Sequence, residues 1–308
     1  MFWYKVPFGK KNFGDVLGPY IVKKLSGKEV AYIPLLHQGL NKKTLLAYPI
    51  ALYSRKLNLT DVWDNIKFLF GKNKNILITV GSIIGWHSSP KCNIWGSGIM
   101  AKKGHFNNAN FYAVRGKETQ SRMRELGYKV PDAIGDPAVL MPLLYTPKEN
   151  KKYELGIIPH HFHYNESNTK IESDKIKLIS LLDEIEEVID QIASCDILIS
   201  SSLHGIIIAH AYNKPCVWYN LSQKTIGGDN IKFVDYFSSV DIKPYDAIDL
   251  KIDVFNEKAI DLINEYAKIH KEIFEVNFKN ISILQANLIK SAPFPVLEKY
   301  LKLVNTTQ

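Results

Sequence analysis

The chain has 308 residues and a formal net charge of +8, with 46% hydrophobic, 23% charged and 11% aromatic residues. That is the make-up of a folded globular protein, which excludes disordered and fibrous classes and leaves length for two cores of roughly 150 residues each. Only four basic residues are arginine (Arg55, Arg115, Arg122 and Arg124), and the lysines are scattered rather than gathered into a stripe with interleaved aromatics. Nucleic-acid binding therefore ranks last among the function classes.

From the start, "FWYKV" (2–6) reads as a first strand, and "NFGD" (12–15) as a turn whose Asp15 is placed to cap the helix that follows to Lys24. "EVAYI" (29–33) is a second strand candidate. "NILITV" (75–80), closed by Gly81 and Ser82, has the pattern of a parallel strand buried on both faces. "FYAV" (111–114) repeats it and runs through Arg115 and Gly116 into a helix ended by Gly127.

"YTPKENKKYE", rich in proline and charge, predicts a boundary near 146–152, with one domain at 1–148 and another at 149–308. The second half opens on a strand at 153–159. An amphipathic segment follows, with Leu182, Ile185, Val188, Ile189 and Ile192 on its apolar face. "DILIS" (196–200), a serine turn, a helix over 203–213 and "PCVWYN" (215–220) come next, and helical periodicity dominates 254–290. Strands alternating with helices in both halves predict an α/β protein with two open, mostly parallel sheets and a helical C-terminal segment.

In such sheets ligands bind beyond the carboxyl ends of the strands. Asn12, Asp15, Gly81, Ser82, Arg115, His160, Ser201 and Ser202 fall in such loops, and His204 and Gly205 at the helix start that follows one. His204 stands in the first turn of a helix, where unpaired amides and the helix dipole favour an anion. The serines before it can cap that helix or bond a phosphate, and Gly205 permits close backbone approach. Arg115 offers a fork suited to carboxylate or phosphate, with an interdomain salt bridge as its bland alternative. Asp15 stands between an N-cap and a base.

"PHHFH" (159–163) brings three histidines together, but no suitably spaced carboxylate or cysteine completes a metal site, so no metal is expected and His160 reads as substrate-lining. The phosphate-binding fingerprints GxGxxG and GxxxxGKS are absent, and a nucleotide is not indicated. The three cysteines, Cys92, Cys195 and Cys216, have no metal-type spacing and read as reduced, buried thiols of a cytosolic protein. The opening residues lack the apolar core of a signal peptide, and no run approaches 18 apolar residues.

Taken in order, "NFGD", "GSII" (81–84), "IWGSGI" (94–99), "AVRGKETQSRMRELG" (113–127), "GDPAVL" (135–140), "IPHH" (158–161), "SSSLHGIIIAHAYNKP" (200–215) and "IKFVDYFSSV" (231–240) resemble the polysaccharide pyruvyl transferase family, most of all its exopolysaccharide ketal-pyruvyltransferase branch. The resemblance implies two Rossmann-like domains in a GT-B-type arrangement, the first on the acceptor side and the second on the phosphoenolpyruvate (PEP) side. It implies PEP as donor substrate with no further cofactor, and a sugar of a bacterial exopolysaccharide or capsule repeat as acceptor. Arg115, His204 and Lys232 correspond to positions that bind PEP or serve acid catalysis. Many relatives carry arginine two residues before the histidine, where this chain has Ser202. The resemblance also leaves room for a lipid-linked acceptor and for peripheral association of a cytoplasmic protein with the inner membrane.

On this reading His204 is the general acid or a phosphate ligand, and Asp15 takes a proton from the sugar hydroxyl. Two rival expectations stand beside it. One is a GT-B glycosyltransferase using a nucleotide sugar, since fold does not fix function; the other is a non-catalytic glycan-binding subunit of a polysaccharide assembly complex.

Overall fold

The computed structural model describes residues 1–5, 12–33, 42–70, 75–148, 152–168, 170–221 and 229–305. In chain order the first half holds α1 (Phe13–Ser26), α2 (Lys42–Tyr53), α3 (Leu59–Phe70), β1 (Ile76–Ile78), α4 (Ile84–His87), β2 (Cys92–Trp95), β3 (Asn110–Ala113), α5 (Lys117–Glu125), a 3-10 turn (Pro137–Leu140) and α6 (Met141–Leu144). Then follow β4 (Tyr153–Ile158), a 3-10 turn (His161–His163), α7 (Tyr164–Asn168), β5 (Ile176–Leu178), α8 (Ile185–Ala193), β6 (Cys195–Ser200), α9 (Leu203–Ala211) and β7 (Cys216–Trp218). Helices α10 (Ile231–Ser239), α11 (Glu257–Ile269), α12 (Lys271–Phe274), α13 (Phe278–Lys290) and α14 (Glu298–Asn305) close the chain.

The fold is α/β with two parallel sheets. The first has the order β1-β2-β3 and the second β5-β4-β6-β7. Leu155 of β4 faces Ile176 on one side and Ile197 on the other, and Leu198 of β6 faces Cys216. β4 and β6 are thus central strands, which is why their sequences read as unbroken apolar runs. Of α9, all residues but His204 are buried, so that helix is apolar all round as an interior helix must be.

Two expected strands do not form as ladders. At 2–6 only Phe2 makes a bridge, to Ile78, and Val6 lies outside the described residues. At 29–33 the chain has no sheet partner, although the Ile33 amide donates to the Met1 carbonyl. Two other strands, β2 and β5, are four and three residues long and carry no strand pattern of their own. Residues 149–151 of the expected boundary also fall outside the description. Leu182, expected on the apolar face of α8, precedes the helix and is exposed.

One apolar cluster joins the two halves: Phe13, Leu17 and Ile21 of α1 lie in it with Val188 and Ile189 of α8 and Ile206 and Ile207 of α9. The Phe13 amide donates to the Leu181 carbonyl. The C-terminal helices return to the first half, where the Trp95 indole donates to the Leu288 carbonyl at 3.0 Å and the Leu297 amide to the Leu25 carbonyl. This packing sets the first turns of α1 and α9 against each other. Among the described residues no helix is long and apolar enough to cross a membrane.

Candidate active site

α1 begins after Asn12, whose backbone is extended but whose side chain makes no cap to the helix amides; it donates instead to Asp15 Oδ2 at 3.0 Å. Asp15 is therefore a first-turn residue of the helix and not its N-cap. Burial raises its carboxyl to about 7, and the Asn12 amide pulls the other way. Gly14 and Gly18, one turn apart, make a flat strip on α1. A methyl at Gly14 would overlap the His204 ring, and one at Gly18 would meet Thr79 just beyond β1.

Ser202 is the N-cap of α9 with no side-chain cap bond, and His204 follows in the first turn. The positive ends of α1 and α9 thereby share one place, a setting that favours an anion. The His204 side chain is 18% exposed, while its Nε2 is buried without a hydrogen-bond partner. Facing it at 4.0 Å is Oδ2 of Asp136, also buried and also unpartnered. Asp136 Oδ1 is occupied, accepting from the Ala138 amide at 3.0 Å as the cap of the 3-10 turn.

Burial raises the Asp136 carboxyl to about 6 against the opposing pull of the Ala138 amide and Arg115. Burial lowers the His204 imidazole to about 3, helped by the positive charges of Arg115 and Lys232. His160, beyond the end of β4, is lowered to about 3 by burial and by His161, Lys232, His163 and His204 in turn. Lys232, in the first turn of α10, falls to about 8 through burial and then Arg115. After burial, the positive charge of Arg115 disfavours protonation of His204 and Lys232, and that of Lys232 disfavours it at His204 and His160. No ion pair to Lys232 occurs among the described residues.

Arg115 has a different setting from a ligand-exposed arginine. Its side chain is fully buried, with Nε on Asp235 Oδ2 at 3.0 Å, Nη1 on Ser82 Oγ at 2.6 Å and Nη2 on the Ile99 carbonyl at 2.8 Å. Asp235 in turn accepts from the amide and hydroxyl of Thr119, so the pair ties β3 and α5 to α10. The guanidinium forms the floor of the site, acting through its field, and its bland alternative, a salt bridge between the halves, is present. Gly81 supports the same floor: its carbonyl accepts from the Ser97 hydroxyl at 2.8 Å, and its φ of +109° suits glycine.

The serines divide their work. Ser200 Oγ donates to Ile158 and accepts from the Ser202 amide, and Ser201 Oγ accepts from the His160 amide at 2.9 Å. They fix the loop that carries His160 and His204. Gly205 packs against Ser200 and Ile158, so its missing side chain serves the approach of α9 to the sheet. Among the described residues no cluster of three or more potential metal ligands occurs.

The structure thus brings His204, Lys232, His160 and Arg115 within electrostatic reach of one another, with Ser82, Gly81, Ser201 and Ser202 supporting them, while Asn12 and Asp15 flank Gly14, the residue of α1 that abuts the His204 ring. Sequence reasoning missed Gly14, Asp136 and Asp235. Asp136 lies in "GDPAVL" and Asp235 in "IKFVDYFSSV", where a carboxylate beside proline or within a helix carries no signal of its burial.

A protein-family model described as polysaccharide pyruvyl transferase matches residues 12–223. A curated relative, the uncharacterized protein L143 of Acanthamoeba polyphaga mimivirus, is 33% identical over 168 residues, covering 52% of this chain and 58% of that protein. The match therefore spans less than two thirds of that relative. No solved structure matches.

Proposed function

Since the chain belongs to the polysaccharide pyruvyl transferase family, we propose that it transfers pyruvate from phosphoenolpyruvate to two hydroxyls of a glycan sugar as a cyclic ketal, releasing phosphate. The observation that carries this reading is Lys232, without an ion pair among the described residues, beside the neutral imidazoles of His204 and His160 where the first turns of α1 and α9 meet above the Arg115–Asp235 pair. Phosphoenolpyruvate brings a carboxylate and a phosphate, which suit these groups.

In the reaction C3 of the enol takes a proton, and the first sugar hydroxyl adds to the cation-like C2 while giving up its own proton. The bond from C2 to the phosphate oxygen then breaks, and the second hydroxyl adds to C2. Of the two hydroxyl protons, one balances the proton taken by C3 and the other leaves with phosphate. His204 is neutral near pH 7 in the free protein. A bound phosphate would raise its affinity for a proton, and His204 then serves as acid or as phosphate ligand.

Asp15, held at about 7, is suited to accept a hydroxyl proton. In this reading the first half supplies the acceptor side and the second the donor side of a GT-B-type pair of domains. The acceptor belongs to a polysaccharide or to its lipid-linked precursor. Incubation with phosphoenolpyruvate and a panel of glycans, followed by mass spectrometry, tests the proposal. The expected product carries the pyruvyl increment with one phosphate released, and His204→Ala reduces turnover by roughly 10²- to 10⁴-fold. Transfer of a sugar from a nucleotide donor, or wild-type turnover in His204→Ala, contradicts it.

A further inference from the structure

Helix α3 exposes an apolar stripe although Phe68 and Leu69 pack half-buried against the core. The residues it buries are polar: Asp61 accepts from Lys5 at 2.9 Å and from the Asn58 amide, and Asn65 donates to the Tyr32 carbonyl. Its apolar residues at the complementary spacing, Leu59, Trp63, Ile66 and Phe70, form one stripe that faces outward, with Leu59 84%, Trp63 58% and Phe70 87% exposed. Helix α2 beside it in sequence repeats the feature, with Leu46, Ile50 and Tyr53 one turn apart and exposed. Water is the wrong solvent for such stripes, and exposed apolar residues repeated along successive turns of two helices mark a contact.

We propose that α2 and α3 form an in-plane anchor for an anionic lipid bilayer surface. Charge decides in favour of lipid. From Lys42 to Thr60 the sequence has four basic residues, Lys42, Lys43, Arg55 and Lys56, and no carboxylate. The first acidic residue, Asp61, points inward and is paired with Lys5. Lys67 stands 5.9 Å from the centre of the Trp63 ring, with its ammonium beyond the apolar stripe and a single carboxylate, Asp64, at 3.9 Å. Apolar residues flanked by cations match acyl chains beneath anionic headgroups, with tryptophan and lysine stems at the boundary. A second copy of the chain would instead bring two rims of the same sign together. At 12 residues each the two helices are about 18 Å long, too short to span a bilayer but sufficient to lie in its interface.

The test is co-sedimentation of the full chain with vesicles of phosphatidylcholine alone and of phosphatidylcholine mixed with phosphatidylglycerol. Binding is expected to the mixed vesicles and to weaken with salt. The double variant Trp63→Asp/Phe70→Asp, which alters only exposed side chains, should weaken it tenfold or more, and Arg55→Glu/Lys67→Glu should remove the preference for phosphatidylglycerol. A second readout uses brominated phosphatidylcholine in the same mixture: it should quench tryptophan emission in the wild type and far less in Trp63→Phe. Absence of vesicle binding, binding unchanged in the Trp63→Asp/Phe70→Asp variant, or self-association that the same variant abolishes in place of lipid binding would overturn the proposal. Vesicle binding requires neither donor nor acceptor, so its failure leaves the transferase reading intact.

Discussion

His204 Nε2 and Asp136 Oδ2 face each other across 4.0 Å, each buried and each without a hydrogen-bond partner among the described residues. Leaving both polar atoms unpaired costs free energy on each side, and a shift of about 1 Å would join them. Substrate binding that puts a proton on the imidazole would also put a cation beside a carboxylate, drawing the two together. In the proposed reaction Asp136 would then act through His204 as a positioning residue.

Asp136→Asn keeps an oxygen for the Ala138 amide, so the cap of the 3-10 turn survives. It should lower kcat by about 10²-fold with little change in KM for the donor. Steady-state kinetics with a circular dichroism melt separates this from unfolding. An equal fall in stability and activity would assign Asp136 a purely structural role.

Gly14→Ala places a methyl against the His204 ring. Alanine is the better helix former, so the helix itself gains, while the imidazole must move. The expected result is a loss of turnover of at least tenfold, because a displacement of about 1 Å is enough for that, with overpacking costing roughly 1–3 kcal/mol. Turnover and denaturant melts of the variant check both parts.

The buried pair of Arg115 and Asp235 supports the floor of the site. Asp235→Ala leaves a guanidinium buried without its partner, for which the expected loss of stability is about 3–5 kcal/mol by urea denaturation. Arg115→Lys should not restore the wild type, since an ammonium cannot reach Asp235, Ser82 and the Ile99 carbonyl from one planar fork.

Asp15 couples activity and stability to pH. Its folded pKa, about 7, lies above the ordinary 3.8, so its contribution to stability is fully present below 3.8 and lost as pH rises through 7. Asp15→Asn is neutral throughout; relative to the wild type it should melt higher at pH 8 and alike near pH 4. In the proposed reaction Asp15 must be ionised to serve as the base, and Lys232 must keep its proton to hold the donor. The kcat/KM of the wild type should therefore rise through about pH 7 and fall above about pH 8. Loss of the acidic limb in Asp15→Asn, measured over that range, checks the assignment.

The sheet cores were legible because β1, β4, β6 and β7 are apolar runs closed by turn residues, and Gly127 ended α5 where left-handed backbone was needed, at φ +74°. The strands β2 and β5 were not, being short and set in polar sequence. Residues 2–6 and 29–33 have strand composition, yet Phe2 has a single bridge and 29–33 none, because pairing depends on partners distant in sequence. Helices α2 and α3 were not legible, since α2 carries Pro49 inside an apolar run and α3 sets polar Asp61 and Asn65 at inward positions, so neither has the pattern of a core-facing helix. His204, Arg115 and Asp15 could be found from their places after strands and at helix starts. Asp136 could not, since only the packing of α9 against the 3-10 turn sets it opposite His204.

The central claim, that the site around Lys232 and His204 takes a small multiply charged anion, is tested most directly by titration calorimetry of phosphoenolpyruvate at pH 8 in buffers of different ionisation enthalpy. Lys232 is only partly protonated there, so binding should be accompanied by net proton uptake, and Lys232→Gln should weaken binding and reduce that uptake. Absence of phosphoenolpyruvate binding, or binding with no proton uptake and equal strength in Lys232→Gln, would contradict it.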